Sequence, residues 1–300
     1  NINISSSNYL VYLRSYYGAK NITVDSCKMN CPNYYGLYFR NTNNDINNLT
    51  VSNSTIKSYY YPIYFRSSGS ANNINFINDT LNVTQNYCVY SNVKGYINNL
   101  TADKVYMNAI PNGQFGFYLF GDKGFNNARF TNSKIFTGNY GIYLSSYKID
   151  SVFIQNDSIV STNNYCVYLY SNQTLTNTFI NNNTIRSINS TCTYFYGQVL
   201  VDNFKMDMCS LESANSSGIY IYSDKDLRNI LVTGTKSKNC NNYIYGQVNV
   251  ENIAFNKDTF KTDNSVTLID IESYYGKLDR VSVTNSILQN NGSTVIYLYN

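Results

Sequence analysis

A short pattern of asparagine, apolar and hydroxyl residues returns roughly every 25 residues, and it restricts the fold more than any other feature. The pattern is Asn-x-x-h-x-Asn-x-Ser/Thr-h, where h is apolar, and clear copies begin at Asn48, Asn73 and Asn177. The apolar residue at its fourth position can be followed along the chain as Ile4, Val24, Val51, Phe76, Ala102, Phe130, Ile154, Ile180, Met206, Val232, Phe255 and Val283. Repeats of this length belong to solenoids, whose units bury their apolar faces by stacking on each other.

Each repeat contains three short runs with a period of two. In one repeat they are Leu49/Val51, the segment around Ile56, and Ile63–Phe65. Period two predicts strands, and no helical period competes with it. The 32 tyrosines, the many threonines and only 3 prolines also favour strands. We therefore expect an all-β, right-handed, single-stranded parallel β-helix of about twelve coils, spanning residues 1–300 as one solenoid.

The run Tyr-Gly-Ile-Tyr-Leu at 140–144, with the Asn-x-Ser-Ile motif after it, resembles the repeat of pectate-lyase-like β-helix proteins. The resemblance covers essentially the whole chain. It implies the fold, but the same fold serves lyases, hydrolases, viral tailspikes and surface proteins, so function has to come from individual residues. The type that fits this chain is a noncatalytic extracellular one.

Alignment of the repeats produces two columns of asparagine. One lies three residues before the apolar anchor and the other two residues after it. We expect their amides to hydrogen-bond from coil to coil, and the second column, including Asn53, Asn78, Asn156 and Asn182, to point inward.

Aromatic residues form a further column in the third strand. Its neighbours are apolar, so alternation directs the column outward. The candidate contact residues are Tyr38, Tyr64, Tyr90, Tyr118, Tyr143, Tyr168, Tyr194 and Tyr220, and an outward column of Arg14, Arg40 and Arg66 lies beside them. Another aromatic column, three residues earlier, is expected to point inward: Tyr9, Tyr35, Tyr61, Tyr87, Phe115, Tyr140 and Tyr165.

Two interpretations of the outward tyrosines are open. Stacked rings stabilise a sheet without any ligand, whereas aromatic rings with hydroxyl edges also suit sugars or another protein subunit. The arginines fit an anionic partner or cation–π packing on tyrosine.

Sequons for N-glycosylation are dense, which suits a secreted protein. The candidates are Asn3, Asn21, Asn48, Asn82, Asn99, Asn172, Asn189, Asn215 and Asn291. The net charge of +4 is too small to indicate nucleic acid as a partner, and no apolar run is long enough to span a bilayer. The seven cysteines lack zinc spacing, and we expect most to be free.

The sequence favours no catalytic site. It contains no His, which removes catalysis by Ser-His-Asp or Cys-His groups. The best pair of acids is Asp270 with Glu272, where the tyrosine column is interrupted. No metal or cofactor is expected.

The predicted strand order would leave both ends uncapped, as in a segment of a longer solenoid or a subunit that stacks head to tail. The leading hypothesis is a structural or adhesive protein of a cell or virion surface, glycosylated and able to form filaments. Its partners would be itself, other surface proteins or glycans. The alternative is a carbohydrate-binding or polysaccharide-degrading protein.

Overall fold

The structure is a computed structural model that describes residues 2–110, 113–214, 216–263, 266–291 and 293–300, with only the backbone of residues 113 and 114. It confirms an all-β parallel solenoid, with about 11 coils and three strands per turn, and the described residues contain no helix. The chain divides into two compact units, Asn1–Tyr147 and Lys148–Asn300.

The first unit consists of short strands with brief turns between them. They are β1 (Ile2–Ser5), β2 (Val11–Ser15), β3 (Ala19–Asp25), β4 (Cys27–Cys31), β5 (Leu37–Asn41), β6 (Ile46–Ser52), β7 (Thr55–Ser58), β8 (Ile63–Ser67), β9 (Ala71–Ile77), β10 (Thr80–Val83), β11 (Asn86–Val93), β12 (Tyr96–Asp103), β13 (Tyr106–Ala109), β14 (Gly113–Gly121), β15 (Gly124–Thr131), β16 (Lys134–Thr137) and β17 (Tyr140–Ser146). Every third strand pairs in parallel, so sheet A runs β1-β4-β7-β10-β13-β16, sheet B runs β2-β5-β8-β11-β14-β17, and sheet C runs β3-β6-β9-β12-β15.

The second unit repeats this arrangement. Its strands are β18 (Ile149–Gln155), β19 (Ser158–Ser161), β20 (Val167–Ser171), β21 (Thr174–Asn181), β22 (Thr184–Ser187), β23 (Thr193–Gly197), β24 (Leu200–Asp207), β25 (Ser210–Ser213), β26 (Ser217–Ser223), β27 (Asp226–Thr233), β28 (Lys236–Lys238), β29 (Asn241–Gly246), β30 (Asn249–Asn256), β31 (Thr259–Thr262), β32 (Ile269–Ser273), β33 (Lys277–Thr284), β34 (Ile287–Asn290) and β35 (Ile296–Tyr299). Sheet A of this unit begins with β19, sheet B with β20 and sheet C with β18.

The core is built from the inward residues of the three sheets. In sheet A of the first unit, Ile56 pairs with Leu81 and Leu81 with Met107, and all three are fully buried. Because neighbouring coils place like residues in register, each apolar side chain is covered by the equivalent residue of the next coil. At about 25 cal/mol per Å² of apolar surface removed from water, this stacking is the main source of stability.

Asparagines with a left-handed backbone shape each coil. In sheet C strands, Asn48 and Asn73 have φ values of 58° and 56°, and at the corner between sheets C and A, Asn53 and Asn78 have 51° and 55°. Asparagine adopts this region more readily than other residues with a side chain because its short amide can hydrogen-bond locally. The corner asparagines are exposed. The expectation that Asn53, Asn78, Asn156 and Asn182 point inward is therefore wrong, and the left-handed turn is the reason.

One expected anchor lies in another sheet, which accounts for about 11 coils instead of about twelve. Ile4 pairs with Met29 in sheet A, and Met29 pairs with Ile56. Ile4 therefore does not precede Val24 in sheet C, and the anchor column begins at Val24. The sequence of residues 1–4 is similar to the sheet C motif, so Ile4 was assigned to the wrong column. Asn and Ile also occur in the sheet A strands.

The second aromatic column does not point into the core as expected. Tyr35, Tyr61 and Tyr87 are partly exposed, and their rings lie beside the outer tyrosines. Parity fails here because Tyr35 and Tyr61 lie two residues before their strands begin, in irregular backbone. The position between the two columns is the buried one. A Cβ at Gly116 would lie 2.4 Å from the backbone oxygen of Gly141, so only small residues fit there.

Candidate functional site

The outer tyrosine column of the first unit is a continuous stack of rings. It comprises Tyr12, Tyr38, Tyr64, Tyr90, Tyr118 and Tyr143, and consecutive members are paired in register in sheet B. Ring centroids of Tyr38 and Tyr64 are 4.4 Å apart with planes at 4°, and those of Tyr118 and Tyr143 are 4.3 Å apart. The predicted stacking of outward tyrosines is thus confirmed within this unit.

The rings of the second aromatic column lie beside the outer tyrosines, so the aromatic surface of this unit is two rings wide. Tyr87 lies 5.2 Å from Tyr90 and 4.5 Å from Tyr118, and Phe115 lies 4.5 Å from Tyr118. Because rings cover rings, Tyr38 is only 8% exposed although it points outward. Burial and neighbouring hydroxyls raise the pKa of Tyr61 to about 12, so this side chain is uncharged at neutral pH.

The three predicted arginines are brought together as expected. Arg14 pairs with Arg40, and Arg40 pairs with Arg66, in sheet B of the first unit. The Arg14 guanidinium lies 4.8 Å from the ring centre of Tyr16, so the cation–π alternative applies to that residue. None of the three takes part in an ion pair within the described part of the chain.

The second unit has a flatter and more regular aromatic surface, which we call the tyrosine platform. It consists of two adjoining columns, Tyr168, Tyr194, Tyr220 and Tyr243 beside Tyr170, Tyr196, Tyr222 and Tyr245. The rings of Tyr168 and Tyr194 lie 4.9 Å apart at 8°, and those of Tyr222 and Tyr245 lie 5.1 Å apart at 2°. Columns of near-parallel rings leave hydroxyl groups along the edge.

A hydrogen-bonded cluster lies at one edge of the platform. The Tyr196 hydroxyl donates to Asp224 Oδ2 at 2.7 Å, and Gln247 Nε2 donates to the Tyr222 hydroxyl at 3.0 Å. Burial, together with Asp224, raises the pKa of Tyr222 to about 12. Asp224 lies in the turn between β26 and β27, outside the repeat pattern, and the fold shows that its carboxylate accepts a hydrogen bond from a platform hydroxyl.

The acid pair lies at the end of the platform. Asp270 pairs with Tyr243, and Glu272 pairs with Tyr245, where two further tyrosines would be expected. The Tyr243 hydroxyl donates to Glu272 Oε2 at 3.4 Å, and Asp270 Oδ1 is buried without a hydrogen-bond partner. Burial, followed by the Glu272 charge, raises the pKa of Asp270 to about 6.

The asparagine ladders are confirmed as hydrogen-bonded columns. Asn73 Nδ2 donates to Asn48 Oδ1 at 2.8 Å, and Asn99 Nδ2 donates to Asn73 Oδ1 at 3.0 Å. A further ladder that the sequence pattern did not reveal runs beside it, where Asn72 Nδ2 donates to Asn47 Oδ1 at 2.8 Å. These bonds hold neighbouring coils in register.

The ladders also bear on glycosylation, which stays a prediction. A glycan is attached through Nδ2, and in Asn48 and Asn99 this atom donates within the ladder. Nδ2 of Asn189 and Asn291 donates to Asn163 and Asp263. The remaining described candidates differ in accessibility: Asn3, Asn21 and Asn172 are exposed and Asn82 is half-buried, while Asn215 lies outside the described residues.

Two other features of the described residues are relevant to the site. They contain no helix of the length and apolarity needed to cross a membrane, and no cluster of three potential metal ligands. The cysteines are all free thiols, as expected for most of them, and burial raises the pKa of Cys209 and of Cys240 to about 11.

Comparison of the chain with protein-family models, curated proteins and solved structures returns no match. The structure supports a parallel β-solenoid, and no family is assigned from these comparisons.

Proposed function

We propose that this chain is a noncatalytic structural or adhesive surface protein of the pectate-lyase-like β-helix type, which holds carbohydrate on its tyrosine platform. The observation that carries the proposal is the platform itself, because it presents two adjoining columns of near-parallel rings. Extracellular location and glycosylation belong to the same proposal and draw support from the sequons.

The chemistry of the platform suits neutral sugars. A pyranose ring has an apolar face that packs on an aromatic ring, and its hydroxyls find partners in tyrosine hydroxyls, in Asp224 and in Gln247. Cross-strand pairs of rings in both columns also stabilise the sheet, by about 0.2–1 kcal/mol each. The second column adds width that a sugar chain can cover.

The test is binding of the full chain to a panel of neutral polysaccharides, measured by glycan array and titration calorimetry. We expect the variant Tyr170→Ala/Tyr222→Ala/Tyr245→Ala to weaken binding at least tenfold, since each ring contact contributes about 0.5–1.5 kcal/mol. The matched control, Tyr17→Ala/Tyr96→Ala/Tyr106→Ala, removes three exposed tyrosines of the first unit and should bind as the parent chain does. Equal affinity of the two variants, or no binding to any glycan, would reject the proposal.

A second candidate function is polysaccharide cleavage, and the observation that favours it is the acid pair at the end of the platform. Asp270, whose pKa is raised to about 6, is protonated in part near neutral pH and could serve as a general acid. Cleavage products that accumulate with the parent chain but not with Asp270→Asn would support this candidate. Unchanged polymer length across the same panel would reject it.

A further inference from the structure

The outward face of sheet A is strongly basic, although the chain as a whole is nearly neutral. In the second unit its strands carry Arg186, Lys236, Lys238 and Lys261 at outward positions and a single carboxylate, Glu212. In the first unit the sheet A strands contain Lys28, Lys57 and Lys134 and no Asp or Glu. The sheet A strands of the two units thus carry seven of the 22 basic residues of the chain but only one acidic residue.

Three of these lysines line a cavity, which we call the lysine groove. Lys236 and Lys238 lie on β28 and Lys261 on β31, and the cavity between them measures about 380 Å³. The floor is backbone, because the side chains of Leu211 on β25, Ser237 on β28 and Thr262 on β31 are buried.

The charge of the groove is only partly compensated. Lys238 and Lys261 are paired in register although both are cationic. Glu212 lies 4.0 Å from Lys238 and 3.4 Å from Arg186, so one carboxylate serves two cations. No ion pair involves Lys236 or Lys261 within the part of the chain that the structure describes. Like charges held at adjacent positions of a sheet cost stability unless an anion lies between them.

The other lining groups show which anion fits. They are Ser210, Thr259, Asn239 and Gln289, with hydroxyl or amide groups, and one carboxylate, Asp263, whose Oδ1 accepts a hydrogen bond from Asn291 Nδ2. Among the described residues, the lining contains no aromatic ring on which a nucleic-acid base could stack. Hydroxyl and amide groups are suitable partners for sugar hydroxyls. Successive coils lie about 4.8 Å apart, which is close to the length of one sugar residue in a linear chain.

We propose that the lysine groove binds an anionic polysaccharide, with carboxylate or sulfate groups on successive sugars, laid across the strands of sheet A. This site is separate from the tyrosine platform and its ligand is charged, so it does not depend on the proposed function.

The experiment is affinity electrophoresis of the full chain in gels that contain polygalacturonate, chondroitin sulfate or neutral dextran. We expect retardation by at least one of the two charged polymers, whichever carries the preferred anion, and none by dextran. Lys236→Gln/Lys238→Gln/Lys261→Gln should weaken binding about tenfold or more. The control Lys20→Gln/Lys123→Gln/Lys225→Gln makes the same change in net charge on exposed lysines elsewhere and should change affinity less than threefold.

A charge-preserving variant guards against loss of folding. Lys236→Arg/Lys238→Arg/Lys261→Arg should keep affinity for the polymer that the parent chain binds, and the glutamine variant should keep its thermal transition. Equal weakening by the two glutamine variants would overturn the proposal, as would equal competition from duplex DNA at matched charge. Loss of self-association in the groove variant, seen by sedimentation without any glycan binding, would instead assign the surface to a second copy.

Discussion

Single residues at the corners of the coils accept hydrogen bonds from the backbone of the neighbouring coil, and Asp79 is one of them. Its carboxylate is 1% exposed, and Oδ1 accepts a hydrogen bond from the Ser54 backbone nitrogen at 2.9 Å. Asn183, at the equivalent corner of the second unit, accepts the same kind of bond from the Asp157 nitrogen at 2.7 Å. A neutral amide can therefore accept the same hydrogen bond. The negative charge of Asp79 is not needed for it, and burying that charge lowers the stability of the folded chain.

This predicts how stability depends on pH. Burial raises the pKa of Asp79 from 3.8 to about 7 in the folded state, so the folded chain binds the proton more tightly than the unfolded chain. The contribution of Asp79 is most favourable below about pH 4 and is lost as the pH rises to about 7. Asp79→Asn should remove this loss and stabilise the chain at pH 8 by about 2–4 kcal/mol.

Urea unfolding at pH 4.5 and pH 8 measures this effect. The control Asp122→Asn disrupts only the exposed ion pair with Lys94, which contributes about 0–1 kcal/mol. A variant of Asp79 that is less stable than the parent chain at pH 8 would show that the charge has a partner and contributes favourably.

The ladder asparagines permit a second prediction at this scale. Asn73 has a left-handed backbone, donates to Asn48 and accepts from Asn99. Asn73→Ala should cost about 2–4 kcal/mol, from lost hydrogen bonds and from the strain of alanine in this region. Asn73→Gly loses the same bonds without that strain and should cost about 1–2 kcal/mol less than alanine. Thermal unfolding of the pair measures the difference, and equal stability of the two variants would contradict the assigned role of the backbone.

At the scale of strands, the sequence predicted what depends on periodicity and missed what depends on the corners. Inward and outward positions within the strands follow from period two, as with Leu37 and Phe39 beside Tyr38. Tyr35 lies two residues before β5 begins, outside the extended strand, so the period of two predicted its direction wrongly. The contacts of Asp224 with Tyr196 and of Lys238 with Lys261 join residues of neighbouring coils, and alignment of the repeats showed neither as part of a surface.

The small-residue column between the two aromatic columns gives a prediction at this scale. A Cβ at Gly116 would lie 2.4 Å from the Gly141 oxygen and 2.8 Å from Ile135 Cγ2, so Gly116→Ala should destabilise the chain by about 1–3 kcal/mol. Cys88 occupies the same column one coil earlier and already has a Cβ, so Cys88→Ala should cost less. Denaturant midpoints compare the two variants, and a neutral Gly116→Ala would mean that sheet B can shift to make room.

For the whole molecule, register is the property on which the other conclusions depend. The columns of tyrosine, asparagine and lysine exist only because residues one repeat apart are paired in the sheets, as Thr50 is with Asn75 and Asn75 with Thr101. Head-to-tail assembly and a surface location stay predictions.

Disulfide trapping tests this register most directly. The experiment uses a Cys27→Ser background, in which the remaining cysteines are buried. The variant Thr50→Cys/Asn75→Cys places two thiols on paired residues of neighbouring strands. Their Cα atoms are about 4.8 Å apart, within the Cα–Cα range that a disulfide spans. Mild oxidation followed by peptide mapping should show this crosslink in most molecules. Thr50→Cys/Thr101→Cys, two coils apart, should give almost none. A crosslink in the second variant, or none in the first, would contradict the account.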